Sequence, residues 1–168
     1  MTSLTHFFFG SPRRLLAIIA ACSAALLAFA FYLQHSLDLD PCPMCIVQRL
    51  ALIGVGVTAL IGSLWGHKAW LGLWGLIAWV TAGLGAFVAA KQSWLQWDPP
   101  EFPNCGRDFY GVLESNFPLR EKIPMFFKGT GECSLVDWSF LGLSIANWSF
   151  VAFAGFFIGL SILALRKR

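Results

Sequence analysis

The sequence predicts an all-α membrane protein, a four-transmembrane-helix bundle with one long outer loop. Three observations predict it. Hydrophobic residues fill 57% of the 168 positions and charged residues only 12%, with a mean hydropathy of +0.67, too apolar for an ordinary soluble domain. Four stretches, 15–33, 45–64, 69–90 and 148–165, are almost free of charge in their interiors, and each approaches the roughly 20 apolar residues that cross a bilayer. Lipid offers backbone amides no partner, so each such stretch must be helical. The third observation is the remainder: one short outer loop, 34–44, and one long one, 91–147, with no room for a separate soluble domain.

The first span follows Arg13-Arg14, and Ala28-Phe29-Ala30 resembles a signal-cleavage site. Its apolar run is longer than a signal core, and three more spans come after it, so an uncleaved first helix is expected. Cys22 falls in the middle of it and is expected to be an inert packing thiol.

The second span opens on Asp40-Pro41-Cys42-Pro43-Met44-Cys45, followed by Ile46-Val47-Gln48-Arg49. A Cys-x-x-Cys pair is redox-active when something lowers one thiol pKa, because only the thiolate attacks or leaves. Cys45 falls in the first turn of the expected helix, where unpaired N–H groups favour an anion. Arg49 lies four residues on, on the same helical face. It is the only Asp, Glu, Lys or Arg between Asp40 and Lys68, and an arginine at the edge of a span needs a partner or a function. Half a zinc site or a structural disulfide is also compatible with the pair. A c-type haem site is not, because Ile46 stands where its histidine would be.

Charge orients the chain. Arg13-Arg14, His67 and Lys68 in the short connection 66–68, and Arg166-Lys167-Arg168 fall on one side. All nine acidic residues (Asp38, Asp40, Asp98, Glu101, Asp108, Glu114, Glu121, Glu132 and Asp137) fall on the other. The positive-inside rule then places both termini in the cytoplasm. Lys91, Arg107, Arg120, Lys122 and Lys128 stand on the outer side, but most lie deep in a long loop, where that rule is weak. Cys42, Cys45, Cys105 and Cys133 therefore face the outer compartment, where disulfides persist. Four outward cysteines fit two disulfides better than zinc.

The long loop starts with Trp94 and Trp97 and ends with Trp138, and Trp148 opens the last span, as interfacial aromatics should. Between its cysteines, the stretch 109–127 is too short and too broken by Pro118 and Pro124 to span. It reads either as a short element on the membrane surface or as a loop packed on the bundle. A bond between Cys105 and Cys133 would be a staple by itself. A second exposed pair beside a membrane-edge Cys-x-x-Cys favours a relay, since exchange needs two pairs that can meet.

Together, the four spans, Cys42-Pro43-Met44-Cys45 with Arg49, Cys105 in the long loop, and Gly131-Glu132-Cys133 followed by Trp138-Ser139-Phe140-Leu141-Gly142-Leu143 resemble the DsbB family of membrane disulfide oxidoreductases. The resemblance covers nearly the whole chain. It implies a bacterial inner-membrane enzyme that reoxidises a DsbA-like periplasmic thiol oxidase and hands the electrons to the membrane quinone pool, ubiquinone or menaquinone. By that resemblance, Cys105 forms the mixed disulfide with the partner and Cys133 is its mate. Cys42 and Cys45 form the pair next to quinone, with Cys45 nearest the ring and Arg49 beside the quinone oxygen. Family members often carry a histidine just after the third span, where this chain has Gln92. Gln92 can donate a hydrogen bond there but cannot carry a proton at neutral pH. The lipid bilayer is the expected surrounding and no nucleic-acid partner is expected. Two other readings are a vitamin K epoxide reductase-like enzyme, in which the motif would stand at a later helix, and a non-enzymatic four-span protein with a stapled outer loop.

Overall fold

The structure is a computed structural model, and it describes residues 11–39, 41–99 and 133–166. Four long helices make up most of these residues: α1 (Pro12–Ser36), α2 (Pro43–Leu64), α3 (Lys68–Trp97) and α4 (Ile145–Arg166). All four are long and apolar enough to cross a membrane. A two-strand hairpin, β1 (Ser139–Phe140) and β2 (Leu143–Ser144), precedes α4. Cys105 and the stretch 109–127 lie outside the described residues.

Each helix packs chiefly on its neighbour in sequence: α1 on α2, α2 on α3, and α3 on α4. Prolines at the first position start α1 and α2, where the missing N–H costs no hydrogen bond. At the end of α1, Leu37 N–H closes on Leu33 O at 3.1 Å, and Asp38 turns the chain away with φ +49°. Cys22 stands exposed on the outside of α1. It does not pack in the core as expected, because Ala, Leu and Cys suit a lipid-facing position equally well.

Helix α3 is longer than the apolar stretch 69–90. Thirty residues reach about 45 Å at 1.5 Å per residue, against a hydrocarbon core of about 30 Å. Polarity beginning at Lys91 ends a span but not a helix. Nothing in 91–97 breaks the hydrogen-bond ladder until the Pro99-Pro100 pair. The protruding turns carry Gln92 and Gln96, and Trp94 and Trp97 are exposed on them.

Gln96 anchors the segment that leads from the long loop into α4. Its Nε2 donates to Leu135 O at 3.3 Å, and its Oε1 accepts from Ser144 Oγ at 2.6 Å. Ser144 Oγ also accepts from Asn147 N–H at 3.4 Å, the position of a helix N-cap for α4. In the hairpin, Leu141 and Gly142 both have positive φ, +53° and +77°. That is the turn geometry which matches the twist of two-residue hairpins. Trp148 Nε1 donates to Phe140 O at 3.1 Å. Trp138 stacks on Phe140 and meets Phe29 of α1 edge-on, with centroids 6.0 Å apart. The segment after Cys133 is thus tied to α3 at one side and touches α1 at the other.

At the opposite end, Arg13 Nε and Nη2 donate to Ser63 O and Leu64 O at 3.0 and 3.2 Å. The guanidinium occupies the unpaired carbonyls at the C-terminus of α2, where the helix dipole also favours a cation.

The core joins Leu16, Ile19, Val55, Ala59, Ala78, Ala82, Ala89, Phe153 and Leu160. Small residues on α3 let α4 approach closely, as packing in lipid requires. At Gly85 the ring of buried Phe153 occupies the space that a Cβ would take, whereas a Cβ at Gly75 would meet nothing within 4 Å. Gly85→Ala is therefore expected to destabilise the bundle by about 1–3 kcal/mol, and Gly75→Ala to be neutral or slightly stabilising. Thermal unfolding of both variants in one detergent checks this, and equal shifts would contradict the packing described.

A dithiol at one end of the bundle

Cys42 is the N-cap of α2, with extended backbone (φ −74°, ψ 161°), and its Sγ accepts the backbone N–H of Cys45 at 3.2 Å. A sulfur takes the place that a serine or aspartate oxygen usually fills at a helix start. The cap draws Cys45 back over it: both cysteines are free thiols, with sulfurs 2.6 Å apart. Cys42 is buried and Cys45 partly so. Just outside the span, the Cys42 thiol is pushed well above the ordinary thiol range, first by its side-chain hydrogen bond with Cys45 and then by burial. Cys42 therefore holds the proton of the pair.

Gln92 reaches this pair from α3. Its Nε2 lies 3.2 Å from Cys42 Sγ and 3.3 Å from Cys45 Sγ, within donating distance of both. Its Oε1 accepts from Gln48 Nε2 at 2.6 Å. Both glutamines are at most 5% exposed, which leaves their amides dependent on one another and on the sulfurs.

Arg49 turns toward α1. Its Nη1 donates to Gln34 Oε1 at 2.6 Å, and its guanidinium lies 5.2 Å from the centre of the Phe31 ring. The more distant Ala30 O stands 3.5 Å from Nη2. The guanidinium is partly buried and acts electrostatically on both sulfurs. Its neutral partners leave its positive charge available to a neighbouring anion.

Cys133 completes the cluster. It is 2% exposed and disulfide-bonded, and it packs with Cys42 and Met44, with Cys45, Val88 and Leu95 around them. The structure thus gathers Cys42, Cys45, Gln92 and Cys133 at one spot, with Arg49 acting on the sulfurs from the α1 side. Cys105 lies outside the described residues. Sequence reasoning missed Gln48 and Gln34. Gln48 stands three residues after Cys45, a spacing that returns to the same helix face, and that was a usable signal. Gln34 depends on how α1 meets α2, which no spacing reveals.

The model of the family described as Disulfide bond formation protein DsbB matches residues 12–163. The chain belongs to the DsbB family. Relatives named Disulfide bond formation protein B include one from Paracidovorax citrulli, 55% identical over 97% of this chain and 93% of its own. One from an Acidovorax species is 59% identical over 93% of this chain and 89% of its own. A third, from Polaromonas naphthalenivorans, is 56% identical over 94% and 93%. As a member of the DsbB family, the chain is a disulfide oxidoreductase and a multi-pass membrane protein, which sets aside the non-enzymatic reading of the sequence.

The unequal thiols of the inner pair make a prediction. Because Cys42 keeps its proton at neutral pH and gains thiolate character only as pH rises, a small uncharged alkylating agent should modify Cys45 first. Peptide mass mapping of singly alkylated, reduced protein at pH 7 reads the order. Preferential labelling of Cys42 would contradict the assignment of the shared proton.

Proposed function

We propose that this protein reoxidises a DsbA-like periplasmic thiol oxidase and passes the two electrons to a membrane quinone, ubiquinone or menaquinone, in the bacterial inner membrane. The observation that carries the proposal is Cys133: a disulfide-bonded loop cysteine packed against Cys42 of a dithiol. Two cysteine pairs can exchange only where their sulfurs meet.

With Cys105 as the mate of Cys133, every bond in the cycle can be accounted for. A partner thiolate attacks Cys105 Sγ, a partner–Cys105 bond forms, and Cys133 leaves as a thiolate. Cys133 then attacks Cys42 of the oxidised inner pair, and Cys45 leaves as a thiolate. The partner's second thiol releases Cys105, which attacks Cys133 and frees Cys42. The partner ends as a disulfide, the outer bond is restored, and the inner pair holds two electrons as Cys42 and Cys45 thiols.

Arg49, Cys45 and Gln92 are the residues that would hold the quinone. A guanidinium with neutral partners supplies the donors that carbonyl oxygens take, Gln92 holds the two sulfurs through its amide nitrogen, and Cys45 is the more exposed residue of the pair. The quinone, when bound, supplies a lipid-soluble acceptor for two electrons. Arg49 stabilises negative charge as it develops at this end of the site. Gln92 stands where the family often has histidine and has no proton to give, so protons must leave through the thiols and water.

Arg13 shares one end of the bundle with the α2–α3 connection, and Cys42 and Cys133 lie at the other. Both termini are accordingly assigned to the cytoplasm and the cysteines to the periplasm, with Lys and Arg flanks supporting that orientation.

Arg49→Met should lower quinone-dependent turnover by roughly two orders of magnitude, with partner exchange intact. In the Cys133→Ala background the same substitution should still accumulate the partner adduct through Cys105. Quinone reduction and adduct formation, measured together on purified protein with a reduced DsbA-like partner, decide this. Normal turnover in Arg49→Met, or an adduct that survives Cys105→Ala, would contradict the assignment.

A further inference from the structure

We propose that Gln48 is a positioning residue for the dithiol: its bond to the Gln92 carbonyl keeps the nitrogen of that amide, and not its oxygen, against the Cys42 and Cys45 sulfurs. The inference deepens the proposed function by naming what orients the inner pair's hydrogen-bond donor.

An amide side chain has nearly the same shape either way round, and only its hydrogen-bond partners decide which end points where. The two orientations are chemically opposite for a thiol. The NH2 group donates to a sulfur acceptor and favours a thiolate. The oxygen accepts from S–H and opposes ionisation. In the structure Gln92 Nε2 stands 3.2 and 3.3 Å from the sulfurs, and Gln92 Oε1 is 3.8 Å from Cys45 Sγ. The oxygen is taken instead by Gln48 Nε2 at 2.6 Å, the shorter contact. Gln48 is itself 5% exposed, so water does not replace its donor readily. It comes from α2 and Gln92 from α3, so the bond also fixes the amide across the helix interface.

Gln48 is one turn below Cys45 on α2, yet Gln92 supplies the amide contacts to the sulfurs. It acts through Gln92. Among the described residues, the charges acting on the pair are Arg49 of α2 and the sulfurs themselves. Lys91, next to Gln92 on α3, is exposed, and Cys133 is disulfide-bonded and does not titrate.

The test is a double-mutant cycle on the full chain in detergent, with the inner pair reduced and neither partner nor quinone added. Its failure is thereby separate from any failure of the electron route. The rate of alkylation of Cys45 by iodoacetamide is followed across pH in the wild type, Gln48→Met, Gln92→Met and the double variant. Methionine keeps much of the volume and removes the amide. Gln92→Met should slow the neutral-pH reaction about tenfold and move the profile to higher pH, and Gln48→Met should do so about threefold. The double variant should match Gln92→Met alone, and all four should reach one alkaline plateau, where the thiolate forms without help. An unchanged profile in Gln48→Met or in Gln92→Met would overturn the proposal. A further slowing by Gln48→Met on top of Gln92→Met would overturn it too, as would a lowered plateau in Gln48→Met, since packing alone would then explain the effect.

Discussion

The cysteine-bearing end of this protein depends on one hydrogen bond, from the Cys45 amide to the Cys42 sulfur. A helix must satisfy its first N–H groups, which have no partner within the helix. Here the cap is a thiol sulfur, and the same geometry folds Cys45 back onto Cys42. Pro43 at the first helical position fixes the entry into the turn. One local motif therefore starts the helix and sets the distance between two reacting atoms.

Further layers hold that motif. From α3, Gln92 faces both sulfurs and is held by Gln48. From the chain after the long loop, Cys133 packs on Cys42, and Gln96, Ser144 and the Trp138–Phe140–Trp148 aromatics fix the segment behind it. Arg49 stands apart, tied to α1 through Gln34. A site built where the ends of two apolar helices meet the segment after the long loop suits a protein that oxidises and reduces disulfides at a membrane.

The spans could be read in the sequence because lipid enforces long apolar runs, and those runs are hard to mistake. Their helical ends could not, because polarity marks the edge of the bilayer while proline and capping mark the end of a helix. Lys91 and Pro99 separate those two boundaries on α3. The cysteine motif and Arg49 were visible as residues whose chemistry has no use in a plain apolar helix. Gln92 was visible only as a departure from a family pattern, and its contacts with both sulfurs needed the crossing of α2 and α3. Gln48 and Gln34 were hidden for the same reason: a neutral amide announces nothing until its partner is known. Cys22 shows the converse, a residue whose exposure an apolar stretch does not reveal.

The central claim is that Cys133 and Cys42 are close enough to exchange. It is tested most directly in a chain that keeps only these two cysteines, with Cys22→Ala, Cys45→Ser and Cys105→Ser. Reduction followed by mild oxidation, read by intact mass and non-reducing peptide mapping, should show an intramolecular Cys42–Cys133 disulfide in nearly every molecule. A protein that remains folded and keeps two free thiols under the same oxidant would contradict the account.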